Sequence, residues 1–367
     1  MARPSTRMEN TNRFKLGLFC TNGSGGLAMT KVPERWDASW DNNVTATQMG
    51  EAAGLEFTLP IARWHGYRGE TNTQGEALET LTWATGMLSC TEEITVFGTV
   101  HVPLVNPVFA AKQMISADHA GCGRFGLNLV SGWNAGEFDM FGVKLREHDE
   151  RYDYSAEWVE IVRRIWAEEK AFDYQGKFFD LKGVLLNPKP YGGGRPLLMS
   201  AGSSPAGRTF AANNVDCLFM AIPGLDGLAD EISGVKKALG RRDMGIYASG
   251  HIVCRPTQKE AEEYYHYYVH EMGDWDAVEH IISIRQQSQS IPPDALSKMK
   301  ERLISGVGTF PVVGSPDSIA EMYERMADAG LNGMAIGMVN YIDEIPFVEA
   351  ELLPRMQRLG LRDPATP

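Results

Sequence analysis

Residues 124–134 read RFGLNLVSGWN, a short apolar run interrupted by one amide at Asn128 that stops at Ser131-Gly132 and turns on Trp133. A few apolar residues bounded by a glycine-containing turn make the pattern of a strand covered on both faces. Outward from this stretch the pattern recurs at 15–20, 55–61, 94–101, 196–201, 216–221, 244–254 and 333–338, which with 124–131 gives eight strand candidates. Longer segments of helical periodicity separate them. In 152–170, for example, Trp158, Val162 and Trp166 recur every four residues, Ile161 and Ile165 widen the stripe, and charged residues fill the other face. Strands alternating with helices predict parallel pairing through right-handed crossovers. Eight of them predict an α/β fold of the TIM (β/α)8 barrel type, expected here as a single domain over 1–367. Two intervals are too long for simple connections and are expected as rim insertions: 171–195 reads as a small hairpin after a helix, and 255–311 as two or three helices.

Composition narrows the class. With 43% hydrophobic residues in 367, the chain can bury a large core. A formal net charge of -12 with no long basic run argues against nucleic acid or an anionic membrane surface as partner. The five cysteines are scattered, with no C-x-x-C pair, and read as free thiols in a reducing compartment. The first residues lack the apolar core of a secretion signal, and no stretch approaches the ~18 apolar residues of a membrane span, so a cytoplasmic location is expected.

In such barrels the active site is built where strands end and the following loops begin. Reading those ends gives Asn22 and Ser24, then Arg63, Trp64 and His65, then Thr99 and His101, then Asn128, Ser131 and Trp133, then Ser203 and Ser204. The sharpest local pattern is Ala201-Gly202-Ser203-Ser204-Pro205-Ala206-Gly207, a strand-to-helix turn with two hydroxyls, free backbone N–H groups and Pro205 in the first helical turn. It suits a phosphate dianion, although Ser and Pro are favoured at these positions in an ordinary serine helix cap whether or not a ligand binds. Asn128, pointing into the barrel, either bonds within an internal layer or meets a ligand with its paired donor and acceptor. His65 and His101 share the rim and are candidates for acid–base or substrate contacts.

The run 128–133, Gly136-Glu137-Phe138, His148-Asp149-Glu150-Arg151-Tyr152, Phe178-Phe179 and the 202–207 turn, in this order and spacing, resemble the bacterial luciferase-like, flavin-dependent monooxygenases. Within them the chain is most similar to dimethylsulfone monooxygenases and to the pyrimidine monooxygenases that open the uracil ring, from about residue 15 to 356. The resemblance implies reduced FMN as cofactor and O2 as co-substrate. It implies that Ala62 and Arg63 flank the flavin ring, that Asn128 and Glu137 contact the ring or ribityl chain, and that Arg151, Tyr152, Ser203 and Ser204 serve the phosphate end. It further implies that Leu59, Thr99, Asn128 and Trp133 form an O2 pocket that directs oxygen to flavin N5, giving an N5 peroxide or N5-oxide. The segment Trp64-His65-Gly66-Tyr67 departs from the uracil enzymes, so the expected reaction is oxidative cleavage of a C–S, C–N or C–halogen bond in a small organic molecule.

No Gly-rich dinucleotide fingerprint is present, so a separate NAD(P)H:flavin reductase is expected to supply the reduced flavin. The resemblance also suggests a homodimer or homotetramer. The rival readings are a deazaflavin-dependent oxidoreductase on the same barrel, a metal-dependent hydrolase and a flavin-binding protein without turnover. No metal site is expected: the eight histidines include no H-x-H or H-E-x-x-H, and His266 and His270, one helical turn apart, read as structural.

Overall fold

Eight parallel strands close into a barrel in the computed structural model, which describes every residue except 1, 2, 4, 203, 241–243, 287–292 and 364–367. In chain order the strands are β1 (Lys15–Phe19), β2 (Phe57–Leu59), β3 (Thr95–His101), β4 (Phe125–Val130), β5 (Phe172–Gln175), β6 (Asp180–Val184), β7 (Leu197–Ala201), β8 (Cys217–Met220), β9 (Gly245–Cys254), β10 (Phe310–Gly314) and β11 (Gly333–Gly337). Around the barrel they run β1-β2-β3-β4-β7-β8-β9-β11, and β11 pairs with β1 to close the ring. β5 and β6 form a separate antiparallel hairpin, the expected first insertion.

Each strand splits its side chains between two cores. Leu16, Leu18, Val96, Leu127, Leu129, Leu198, Leu218 and Ile246 face outward into the helix layer. Phe57, Leu59, Phe97, Met199, Phe219 and Tyr247 fill the barrel, with Met8 buried among them. The interior is aromatic: the Phe57 ring meets Phe97 at 6.0 Å and Tyr247 at 5.9 Å, both edge to face. Such rings require small neighbours. A Cβ added at Gly17 would lie 2.4 Å from the Phe57 ring, and one at Gly126 2.5 Å from Phe97. Outside, the helix His148–Ala167 buries Trp158, Ile161, Val162 and Ile165, and Trp158 donates its indole N–H to the Val105 carbonyl at 2.8 Å.

The second insertion holds the helices Gln258–His266, Trp275–Gln286 and Pro293–Gly306, as expected, and ends in a strand that the sequence reading did not anticipate. β10 pairs with 250–254 of β9, beyond the 245–248 that pair with β8. Pro311 removes one ladder donor, which disguises this short run and suits it to a peripheral position. The insertion has its own apolar cluster, including Tyr268, Ile281 and Ile304, and shares it with Val32, Tyr67 and Val339 of the barrel loops. Asp274 ties it to the loop after β2 by accepting from the Thr71 amide at 2.7 Å and hydroxyl at 2.8 Å. Among the described residues, no helix is long and apolar enough to cross a membrane.

Candidate active site at the barrel mouth

β3 and β4 lie in register with Thr99 opposite Asn128. The Asn128 amide donates to the Thr99 hydroxyl at 3.3 Å, and that hydroxyl donates to the Pro60 carbonyl at 2.6 Å. Asn128 is buried, and its Oδ1 has no hydrogen-bond partner among the described residues. An unmet buried acceptor costs about 1–3 kcal/mol, so this oxygen is suited to a ligand donor.

A second group adjoins it. The short helix Ala135–Met140 starts on Asn134, whose side chain accepts from the Gly136 amide at 3.2 Å, and this start directs Glu137 inward. Glu137 Oε1 accepts from Arg63 at 3.1 Å and from the Trp64 amide at 2.9 Å. Its Oε2 has no hydrogen-bond partner and lies 3.8 Å from His101 Nδ1, which also has none. Arg63 is fixed further by Gln74 Oε1 at 3.3 Å and by the faces of Tyr67 and Trp133, 4.8 and 5.3 Å away. Burial works against the Arg63 charge, but Tyr67 and Glu137 outweigh it and hold its pKa above the ordinary value. Burial dominates at His101, lowering its pKa to about 4 against the pull of Glu137, so the imidazole is uncharged at neutral pH.

The third group follows β7. Ser204 caps the helix Pro205–Asn214 by accepting from the Gly207 amide at 3.1 Å. Here the glycines are required by close approach: a Cβ at Gly202 would lie 3.0 Å from the Gly207 backbone, and one at Gly207 2.8 Å from the Tyr152 hydroxyl. Arg151, one residue earlier on the same helix as Tyr152, donates to the Gly132 carbonyl at 2.5 Å and leaves its buried Nε without a partner. Ser203 lies outside the described residues.

Thr99, Asn128, His101, Arg63 and Glu137 thus meet at one mouth, with Ala62 beside them and Trp133 stacked over Arg63. Leu59 packs lower, in the aromatic barrel interior. His65 is set apart: its Nδ1 meets the Gly66 carbonyl at 3.1 Å, and its Nε2 faces Gly136. The sequence reading missed Gln74, which sits in the featureless polar stretch 69–76 and is legible only once Arg63 is seen against it. It also missed a cavity of about 420 Å3 beside the mouth, lined by Ala62, Arg63, Thr99 and His101 on one side and by Phe109 and Phe141 on another. Among the described residues, no group of three or more His, Cys, Asp or Glu is arranged to hold a metal ion. His266 and His270 instead approach Glu271 and Glu301.

A family model described as luciferase-like monooxygenase matches residues 14–333. The FMNH(2)-dependent dimethylsulfone monooxygenase of Pseudomonas fluorescens (strain Pf0-1) is 27% identical over 354 residues, covering 94% of this chain and 95% of that protein. The pyrimidine monooxygenase RutA of Acinetobacter baylyi is 25% identical over 365 residues, covering 94% and 95%. Among solved structures, a riboflavin lyase crystallised with modified FMN and riboflavin superposes with a TM-score of 0.84 at 21% identity, covering 95% of this chain and 92% of that one, a likeness of fold.

Proposed function

The chain belongs to the luciferase-like monooxygenases, flavin-dependent enzymes that use O2, and from that premise we propose a two-component enzyme that takes reduced FMN from a separate NAD(P)H:flavin reductase. Its reaction is oxidative cleavage of a C–S, C–N or C–halogen bond in a small organic substrate. The fit to FMN rests on unmet buried polar atoms around one mouth: Asn128 Oδ1, Glu137 Oε2 and His101 Nδ1 on one side, and Arg151 Nε on the other. Ala62, Arg63, Asn128 and Glu137 would hold the ring and ribityl chain. Arg151, Tyr152 and Ser204 would hold the phosphate, with the helix N-terminus and a guanidinium suited to a dianion. When bound and reduced, the flavin supplies the electrons for O2.

The remaining work falls to side chains of this chain. Glu137 orients Arg63 and the Trp64 backbone at the edge of the site. The rim insertion, tied down through Asp274 and Thr71, covers the loop after β2 and limits water. Leu59, Thr99, Asn128 and Trp133 would line the O2 pocket, and with the flavin bound they would favour its N5 side. The observation that carries this reading is the Thr99–Asn128 pair with its unpartnered amide oxygen. The family resemblance further suggests a homodimer or homotetramer, which sedimentation measures.

The test is to combine the protein with a flavin reductase, NADH, FMN and a panel of sulfones, sulfonates, pyrimidines and haloaromatics, following O2 uptake and products by mass spectrometry. Oxygenated product that depends on both proteins is expected. NADH oxidation by the purified chain alone would remove the reductase from the scheme, and hydride transfer from a reduced deazaflavin without O2 uptake would replace the reaction. Stopped-flow spectra with no feature assignable to N5-linked oxygen, across substrates and pH, would overturn the N5 part.

A further inference from the structure

The cavity of about 420 Å3 beside the mouth has its inner wall in the site and the rest of its lining outside it. It lies between the first turns of the helices Thr80–Ser89 and Pro107–Ala120, so its walls come from segments far apart in sequence. Leu78, Leu81, Val100, Leu104 and Val105 make it apolar. Its mouth carries three aromatics that water would otherwise contact, Phe109 at 62%, Phe141 at 41% and Trp64 at 39% exposed, and Trp64 meets Phe141 edge to face at 4.7 Å.

The polar groups of this lining are largely occupied. Glu79 caps its helix by accepting from the Leu81 and Thr82 amides at 3.0 and 2.8 Å. Asn106 does the same for Val108 at 2.9 Å, and the Thr80 hydroxyl donates to the Thr99 carbonyl. Among the described residues that line it, Arg63 is the one cation, and it is neutralised by Glu137 at 3.1 Å. What remains is His101 at the inner wall, with an unpartnered Nδ1, and the uncharged, half-buried amide of Gln113. An anionic ligand here would lose its hydration without finding a free counter-charge.

We propose that this cavity holds the organic substrate, and that the substrate is an uncharged, largely apolar molecule, such as a sulfone or an organic halide, rather than a sulfonate or a carboxylate. At the ~30 Å3 that a water molecule occupies in the liquid, the space suits on the order of a dozen non-hydrogen atoms. The assignment of this ligand as substrate rests on the flavin-monooxygenase reading above. The cavity adjoins Thr99 and His101 directly, so a substrate within it lies against the same residues that border the flavin and O2 sites.

Methyl phenyl sulfone and benzenesulfonate test this, because they are nearly the same shape and differ in charge. Equilibrium dialysis of each against the full chain, flavin-free and loaded with FMN, is expected to give at least about ten-fold tighter binding of the sulfone. Leu104→Trp and Gln113→Trp fill the cavity from two different segments. Each is expected to weaken sulfone binding by about ten-fold or more while FMN affinity, read from flavin fluorescence, stays within about two-fold. Two variants are used so that a folding defect in one leaves the other informative. Benzenesulfonate binding as tightly as the sulfone, or sulfone affinity surviving in the folded filled variants, overturns the proposal. FMN failing to bind while the sulfone preference holds would sink the flavin reading and leave the uncharged-ligand site standing. FMN binding with no sulfone binding would do the reverse.

Discussion

Two glutamates, both fully buried, mark opposite ends of the barrel. Glu56, just before β2, has both oxygens engaged: Oε1 accepts from Asn10 at 3.2 Å and Asn12 at 2.5 Å, and Oε2 accepts from the Leu16 amide at 2.8 Å and Arg362 at 3.3 Å. Glu137, at the other end, has one oxygen held by Arg63 and the Trp64 amide, while the other lacks a hydrogen bond and faces His101. A saturated buried carboxylate closes its surroundings and serves the fold. A half-saturated one is maintained at a cost in stability, and in a barrel it stands on the face where ligands arrive.

That contrast can be broken by substitution. Glu56→Ala leaves Arg362 buried without its anion and three further donors, the Asn10 and Asn12 amides and the Leu16 N–H, without this acceptor. A loss of about 3–5 kcal/mol in unfolding free energy is expected from denaturant titration. An unchanged midpoint would show that the floor network carries no stability. Glu137→Gln keeps an oxygen for the Trp64 amide and Arg63 but removes the charge, so a smaller loss of about 2 kcal/mol is expected. Its larger effect should be on turnover, with kcat/KM reduced on the order of 10–100-fold through loss of the negative charge that neutralises and steadies Arg63 beside the site. Equal stability losses for the two variants, with turnover intact in Glu137→Gln, would erase the distinction between floor and mouth.

The same division explains what the sequence made legible. The barrel strands were readable because each is a local apolar run whose pattern survives without knowledge of its neighbours. The turn at 202–207 was readable because its glycines, cap and proline are contiguous, and the structure adds that Gly202 and Gly207 approach each other closely and that Gly207 packs against Tyr152. β10 was hidden by Pro311 and by its position beside the far half of β9. The cavity could not be read because Trp64, Leu81, His101, Phe109 and Phe141 come from separate segments, and nothing in the local pattern of any one of them points to the others. Its inner wall was signalled in part by the strand-end candidates Arg63, Trp64, Thr99 and His101, and its outer wall only by Phe109, which lies on the exposed face of a helix where a polar residue would be ordinary. Glu137 was named from family resemblance as a flavin contact, and the structure adds its grip on Arg63, a long-range pairing that no spacing rule reports.

The smallest effect expected tests whether the mouth holds His101 uncharged. Burial lowers its folded pKa to about 4, from an ordinary 6.5. A group depressed in this way is protonated first in the unfolded chain. Its stability contribution is therefore complete above the unfolded value and declines as pH falls from about 6.5 toward 4. Between pH 7.5 and 5.5 this amounts to about 1 kcal/mol. His101→Gln removes the titrating group, so the flavin-free variant should retain about 1 kcal/mol more of its pH 7.5 stability at pH 5.5 than the parent does. Parallel urea titrations at the two pH values measure the difference. Identical pH dependence in both proteins would mean that His101 takes up its proton in the folded chain as readily as in the unfolded one, and that the wall between the Thr99–Asn128 pair and the apolar cavity is open to water.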